Sequence, residues 1–191
     1  MMMNGKKKKE LDESDWNDLE LLRPLDFVGS TYIISKTMTE KAALKFAEER
    51  GLDLVSVLPA LIVGPFLGSN LPMAFHTILG LIRGDKDQME SLKMSPVVHI
   101  NDVAAAHVHL FECSEAKGRY ICSTDNPTLF ELAKLISGKY PEYSMPELDP
   151  NEEKPVQLSS EKLLSSGFKF KYSVQEMFDG AISCCKERGY L

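Results

Sequence analysis

Tyr32 and Lys36 stand four positions apart in the run Tyr32-Ile33-Ile34-Ser35-Lys36. On an α-helix, residues at that spacing share a face, so a phenol and an ammonium project side by side. A neighbouring cation favours the phenolate and draws a tyrosine down from its ordinary pKa of about 10. Such a phenol is an effective proton donor to a carbonyl oxygen that is becoming an alkoxide. The ammonium can also hydrogen-bond a ribose hydroxyl and so fix a sugar-linked hydride donor. The spacing alone equally suits a solvated helix surface, so the elements around it decide.

Helical periodicity runs over 31–50, with Ala42, Ala43, Phe46 and Ala47 as its apolar stripe and Gly51 as its stop. A β-rich run follows at 52–59, continues through Leu61-Ile62-Val63 and breaks at Gly64-Pro65. A helix feeding a nearly continuous apolar strand is the pattern of an α/β unit in a parallel sheet. Beyond a loop at 66–72, the pattern predicts a helix over 73–83 and a strand over 96–100. Asn101 or Asp102 is placed to cap a helix over 103–112. A strand over 118–122, a helix over 129–138 and an amphipathic helix over 173–188 complete the alternation. Val174, Met177, Phe178, Ala181 and Ile182 form the inward face of the last helix. Residues 1–30 read as irregular, with Asp12, Glu13, Asp15 and Asp18 around the single Trp16.

At 191 residues the chain suits one ordinary domain. Its net charge of -6 argues against a nucleic-acid or anionic-membrane binder, and no apolar run is long enough to predict a membrane span. The basic run at Lys6–Lys9 reads as a solvated start. Cys113, Cys122, Cys184 and Cys185 fit no zinc or redox spacing, which suggests reduced thiols and a cytoplasmic setting. His107 and His109, two apart on a helix, diverge and do not suggest a shared metal. Met73, Met89 and Met94 suit either core filling or a flat ligand.

Several stretches, taken in order, resemble the plant dihydroflavonol reductase and vestitone reductase family of extended short-chain dehydrogenase/reductases. They are Asp12-Glu13-Ser14-Asp15-Trp16, the Tyr32/Lys36 helix and Pro59-Ala60-Leu61-Ile62-Val63-Gly64-Pro65. Val98-His99-Ile100-Asn101-Asp102-Val103, Gly118-Arg119-Tyr120-Ile121-Cys122 and Lys139-Tyr140-Pro141-Glu142-Tyr143 follow, and the end of the chain looks most like vestitone reductase. The resemblance implies an NADPH-dependent oxidoreductase acting on a small aromatic ketone of flavonoid or isoflavonoid type. It implies that Tyr32 is the general acid and Lys36 its catalytic partner, depressing the tyrosine's pKa, and that both belong to the cofactor site, with Lys36 on the nicotinamide ribose. Pro59, Ala60, Leu61 and Ile62 would line the nicotinamide end.

The resemblance also sets the expected architecture: an α/β chain forming the C-terminal part of a Rossmann-type NAD(P)-binding fold with a parallel sheet. Residues 31–191 would form that partial domain, with a smaller α/β substrate lobe interleaved at about 66–95 and 120–191. The family's Gly-rich phosphate turn and its catalytic serine or threonine fall outside the matching stretches, and no G-x-G-x-x-G pattern occurs. The opening βαβ units are therefore expected to be absent, which would leave a sheet edge open. A catalytically silent or interaction form of such a reductase is the alternative. A cinnamoyl-CoA reductase-like activity ranks below both, because that group ends Tyr-Gly-Lys where this chain has Ile34-Ser35-Lys36.

Overall fold

The computed structural model of the chain describes residues 8–25, 29–68, 70–85, 88–89, 96–154 and 156–191. Met94, Lys6 and Lys7 lie outside the described residues, as does the side chain of Met73. In chain order the elements are β1 (Glu10–Leu11), α1 (Leu19–Leu22), α2 (Ser30–Arg50), β2 (Val55–Pro59), β3 (Leu61–Val63), α3 (Met73–Arg83) and β4 (Val97–His99). There follow α4 (Ile100–Glu112), β5 (Gly118–Cys122), α5 (Leu129–Lys139), β6 (Gln157–Leu158), α6 (Glu161–Ser165) and α7 (Val174–Glu187). Residues 1–30, expected to be irregular, thus carry a two-residue strand and a one-turn helix. Asp18 caps that helix by accepting from the amides of Glu20 and Leu21.

The strand pairs are parallel, as the alternation of strand and helix predicts. The apolar run 55–63 is divided between two of them. β2 pairs with β5, Val57 opposite Tyr120, whereas β3 pairs with β4, Ile62 opposite Val98. The switch falls at Pro59-Ala60: the Ala60 amide donates to the Cys122 carbonyl, and the Leu61 amide to that of Pro96. The β4 strand is buried at all three residues, while β2 is only half-buried. Among the described residues each strand pairs with one other, β2 with β5 and β3 with β4.

Two apolar clusters hold these pieces. One gathers Phe66, Phe75, Ile78 and Ile82 with Leu132 and Ile136 of α5 and Met177, Phe178 and Ile182 of α7. The other joins Val103, Ala106 and Leu110 of α4 to Tyr120, Cys122, Leu163 and Phe168. Met89 belongs to the first cluster and is core filling.

The stripe expected on α2 is a correction. Ala42, Ala43 and Phe46 are exposed, and the buried positions are Ser30, Thr37 and Ala47. Polar anchors set the helix phase: Asn17 Nδ2 donates to Thr37 Oγ1 at 3.1 Å, and Ser56 Oγ donates to Glu40 Oε1 at 2.7 Å. A second correction concerns α4, which begins three residues earlier than expected. His99 caps it, with Nδ1 accepting from the Asn101 amide at 3.0 Å. Asp102 instead accepts from the amides of Lys171 and Tyr172 on a distant stretch of chain.

Candidate active site

The first turn of α2 carries Tyr32, and its entry is made by Gly29 at φ 100, a conformation that side chains resist. Tyr32 is 65% exposed, and the Lys36 ammonium lies 5.7 Å from its ring centroid, one turn along the same face. The tyrosine stands between two hollows.

The first is a cavity of about 430 Å³ lined by Tyr32, by every residue from Pro59 to Phe66, and by Pro72, Ala74, Phe75 and Ile100. Apart from the Tyr32 hydroxyl, the side chains around it are apolar. Its wall follows from the strand switch at Ala60, which turns successive residues of one run past the phenol. Gly64 is required there. It sits at φ 139, and a Cβ would lie 2.9 Å from Ile100 Cγ2 and 3.1 Å from His99 Nε2.

The second hollow, a groove of about 470 Å³, takes Tyr32, Lys36 and Pro59 together with Trp16, Asn17, Thr37, Glu40 and Arg119. Arg119 organises it. Its Nε donates to Glu40 Oε1 at 3.1 Å, and its Nη1 donates to the Glu13 carbonyl and, at 3.0 Å, to that of Asp15. The guanidinium lies 3.6 Å from the Trp16 ring centroid, a cation–π stack. The acidic stretch around Trp16 is therefore a strap along the groove, bound through the Glu13 and Asp15 carbonyls and through Glu13 Oε1, which accepts from the Ile121 amide at 2.9 Å.

The six residues singled out in the sequence are thus divided. Tyr32, Pro59, Ala60, Leu61 and Ile62 share the apolar cavity, and Lys36 joins Tyr32 and Pro59 in the groove. Phe66 and Phe75 carry no expectation from the sequence, and Ile100 and Arg119 enter there only as members of longer motifs. Phe66 follows directly on Gly64-Pro65, the one signal that placed it near the strand end. His107 Nδ1 meets the Val103 carbonyl, His109 Nε2 meets Ser166, and burial pushes the Cys122 thiol up to about 12. No metal-ligating cluster occurs among the described residues.

Comparison with known proteins places this geometry in a family. A sequence profile described as NAD dependent epimerase/dehydratase family matches residues 13–122. Noscapine synthase of Papaver somniferum is 44% identical over 198 residues, covering 100% of this chain and 57% of the relative. A dihydroflavonol 4-reductase of Callistephus chinensis is 44% identical over 183 residues, covering 94% of this chain and 50% of the relative. The crystal structure of vestitone reductase from alfalfa superposes with a TM-score of 0.86 at 42% identity, covering 98% of this chain and 62% of that one. The chain therefore spans between half and two thirds of the length of these proteins. With the profile matching more than half of its residues, the chain belongs to the NAD dependent epimerase/dehydratase family.

Proposed function

We propose that this chain carries the proton-donating half of an NADPH-dependent ketone reductase acting on an uncharged aromatic ketone of flavonoid or isoflavonoid type. The observation that carries the reading is the position of Tyr32, with an apolar cavity on one side and the Lys36 groove on the other. The residues present suit the nicotinamide end of the cofactor. Pro59 to Ile62 offer an apolar, backbone-lined wall, and Lys36 offers a donor for a ribose hydroxyl. When bound, NADPH supplies the hydride to the carbonyl carbon. Tyr32 gives its hydroxyl proton to the carbonyl oxygen as that oxygen takes up negative charge. Lys36, one turn away, stabilises the phenolate left behind. The apolar lining keeps water from competing for that proton. Relatives named dihydroflavonol 4-reductase and vestitone reductase support the substrate class.

Turnover of NADPH with a flavanone tests the reading. Tyr32→Phe should lower the rate by about 10²- to 10⁴-fold. Equal rates for the two proteins contradict the role of Tyr32.

A further inference from the structure

The wall of the apolar cavity is held from behind by the end of the chain. After β3 the backbone runs through Gly64-Pro65-Phe66-Leu67-Gly68 without regular structure, so its carbonyls have no ladder to join. Leu67 is 97% exposed and contributes no burial to fix the stretch. Arg188, the first residue beyond α7, supplies the missing donors. Its Nη1 donates to the Gly68 carbonyl at 2.7 Å, and its Nη2 to those of Phe66 at 3.0 Å and Leu67 at 3.3 Å.

The same guanidinium lies 4.8 Å from the Phe66 ring centroid. Cys184, one turn earlier on α7, directs its Sγ at the Phe66 carbonyl at 3.4 Å. Arg83 Nη2 donates to the Tyr190 carbonyl at 3.0 Å, which ties the tail to α3 as well. In front, Phe66 meets Phe75 edge to face at 4.6 Å, and both rings line the cavity beside Tyr32. One planar cation thus holds three successive carbonyls behind an aromatic wall, a geometry that the fixed fork of arginine suits and a lysine does not.

We infer that Arg188 is a positioning residue: it latches the Phe66 wall, and the chain's end thereby sets how large a ring the cavity admits. The inference deepens the ketone-site reading and rests on it for the ligand.

Cys184 reports the latch, because it is 7% exposed directly beneath the Phe66 carbonyl. Cys122, 0% exposed in the other cluster, reports loosening of the whole fold. The test is alkylation by iodoacetamide, read at each cysteine by tandem mass spectrometry, in the 191-residue chain and its Arg188→Ala and Arg188→Lys variants. Arg188→Ala should speed alkylation of Cys184 about tenfold, the loss of charge-assisted hydrogen bonds at a partly solvated site. Arg188→Lys should fall between, and Cys122 should not change. An unchanged Cys184, or Cys184 and Cys122 rising together, overturns the latch.

Calorimetric titration with flavanone and with acetophenone supplies the second readout. Arg188→Ala should shift the ratio of the two affinities, since acetophenone is too small to need the wall. An unchanged ratio beside a faster Cys184 overturns the size-setting role. Failure of the wild-type chain to bind either ketone contradicts the ketone reading and the size-setting with it, while the cysteine pattern still decides whether Arg188 holds the wall.

Discussion

Tyr32 and His99 are both aromatic groups at the start of helices, and their surroundings give them opposite chemistry. Tyr32 is exposed to two hollows and has a cation one turn away. His99 is 3% exposed, with its ring stacked on Tyr172 at 3.8 Å and its Nδ1 spent on the α4 cap. Burial draws the His99 imidazole below its ordinary value, against the pull of the Asp102 and Glu176 carboxylates. A basic group lowered in the folded state contributes stability that is present above its unfolded pKa of about 6.5 and is lost as pH falls through the folded value. The chain should therefore lose thermal stability as pH falls below about 6.5. His99→Gln should be less stable near neutrality and show a shallower slope across that window. Parallel slopes in thermal melts would show that another group carries the acid sensitivity.

That cap also marks where element-level reading of the sequence stopped. A histidine before Ile100-Asn101-Asp102 looks like a strand residue, and the acids and amides after it look like caps. Asp102 is taken by a stretch some seventy positions away, a contact that no local pattern contains. On α2 the Tyr32/Lys36 pairing was legible because it depends only on helical spacing. The packing face was not, because Thr37 and Glu40 hold the phase with polar side chains that a hydropathy pattern turns outward. On α7, where apolar packing sets the phase, Met177, Phe178, Ala181 and Ile182 are buried as expected, and Val174 is half-buried.

Arg119 makes the same point energetically. It and Glu40 retain 11% and 17% of their side-chain exposure, and the pair joins α2 to β5 beneath the Trp16 strap. Removing one partner of such a pair leaves a buried charge uncompensated, so Arg119→Ala should cost about 3 kcal/mol. Glu40→Gln should cost less, since Arg119 keeps both strap carbonyls and the Trp16 ring. Urea unfolding followed by the fluorescence of Trp16 measures both, and a larger loss for Glu40→Gln contradicts Arg119 as the organiser.

At the scale of the molecule, the class of fold was legible from the alternation of strands and helices and the motifs along it. The division of the 55–63 run between two strand pairs was not, because hydropathy is continuous across Ala60 and only partner strands separate β2 from β3. That division brings Pro59 to Ile62 beside Tyr32 in one cavity, while Lys36 shares the neighbouring groove with Tyr32 and Pro59. The chain covers 57% of noscapine synthase and 62% of the vestitone reductase structure, so the strength of its grip on a dinucleotide must be measured on this chain itself. Titration of the purified 191 residues with NADPH, followed by nicotinamide fluorescence, is the decisive measurement. Saturable binding in the micromolar range, weakened about tenfold by Lys36→Ala as one charge-assisted hydrogen bond is lost, is the expected result. No saturable binding by a folded chain, or equal binding by Lys36→Ala, would contradict a nicotinamide site built on Tyr32 and Lys36.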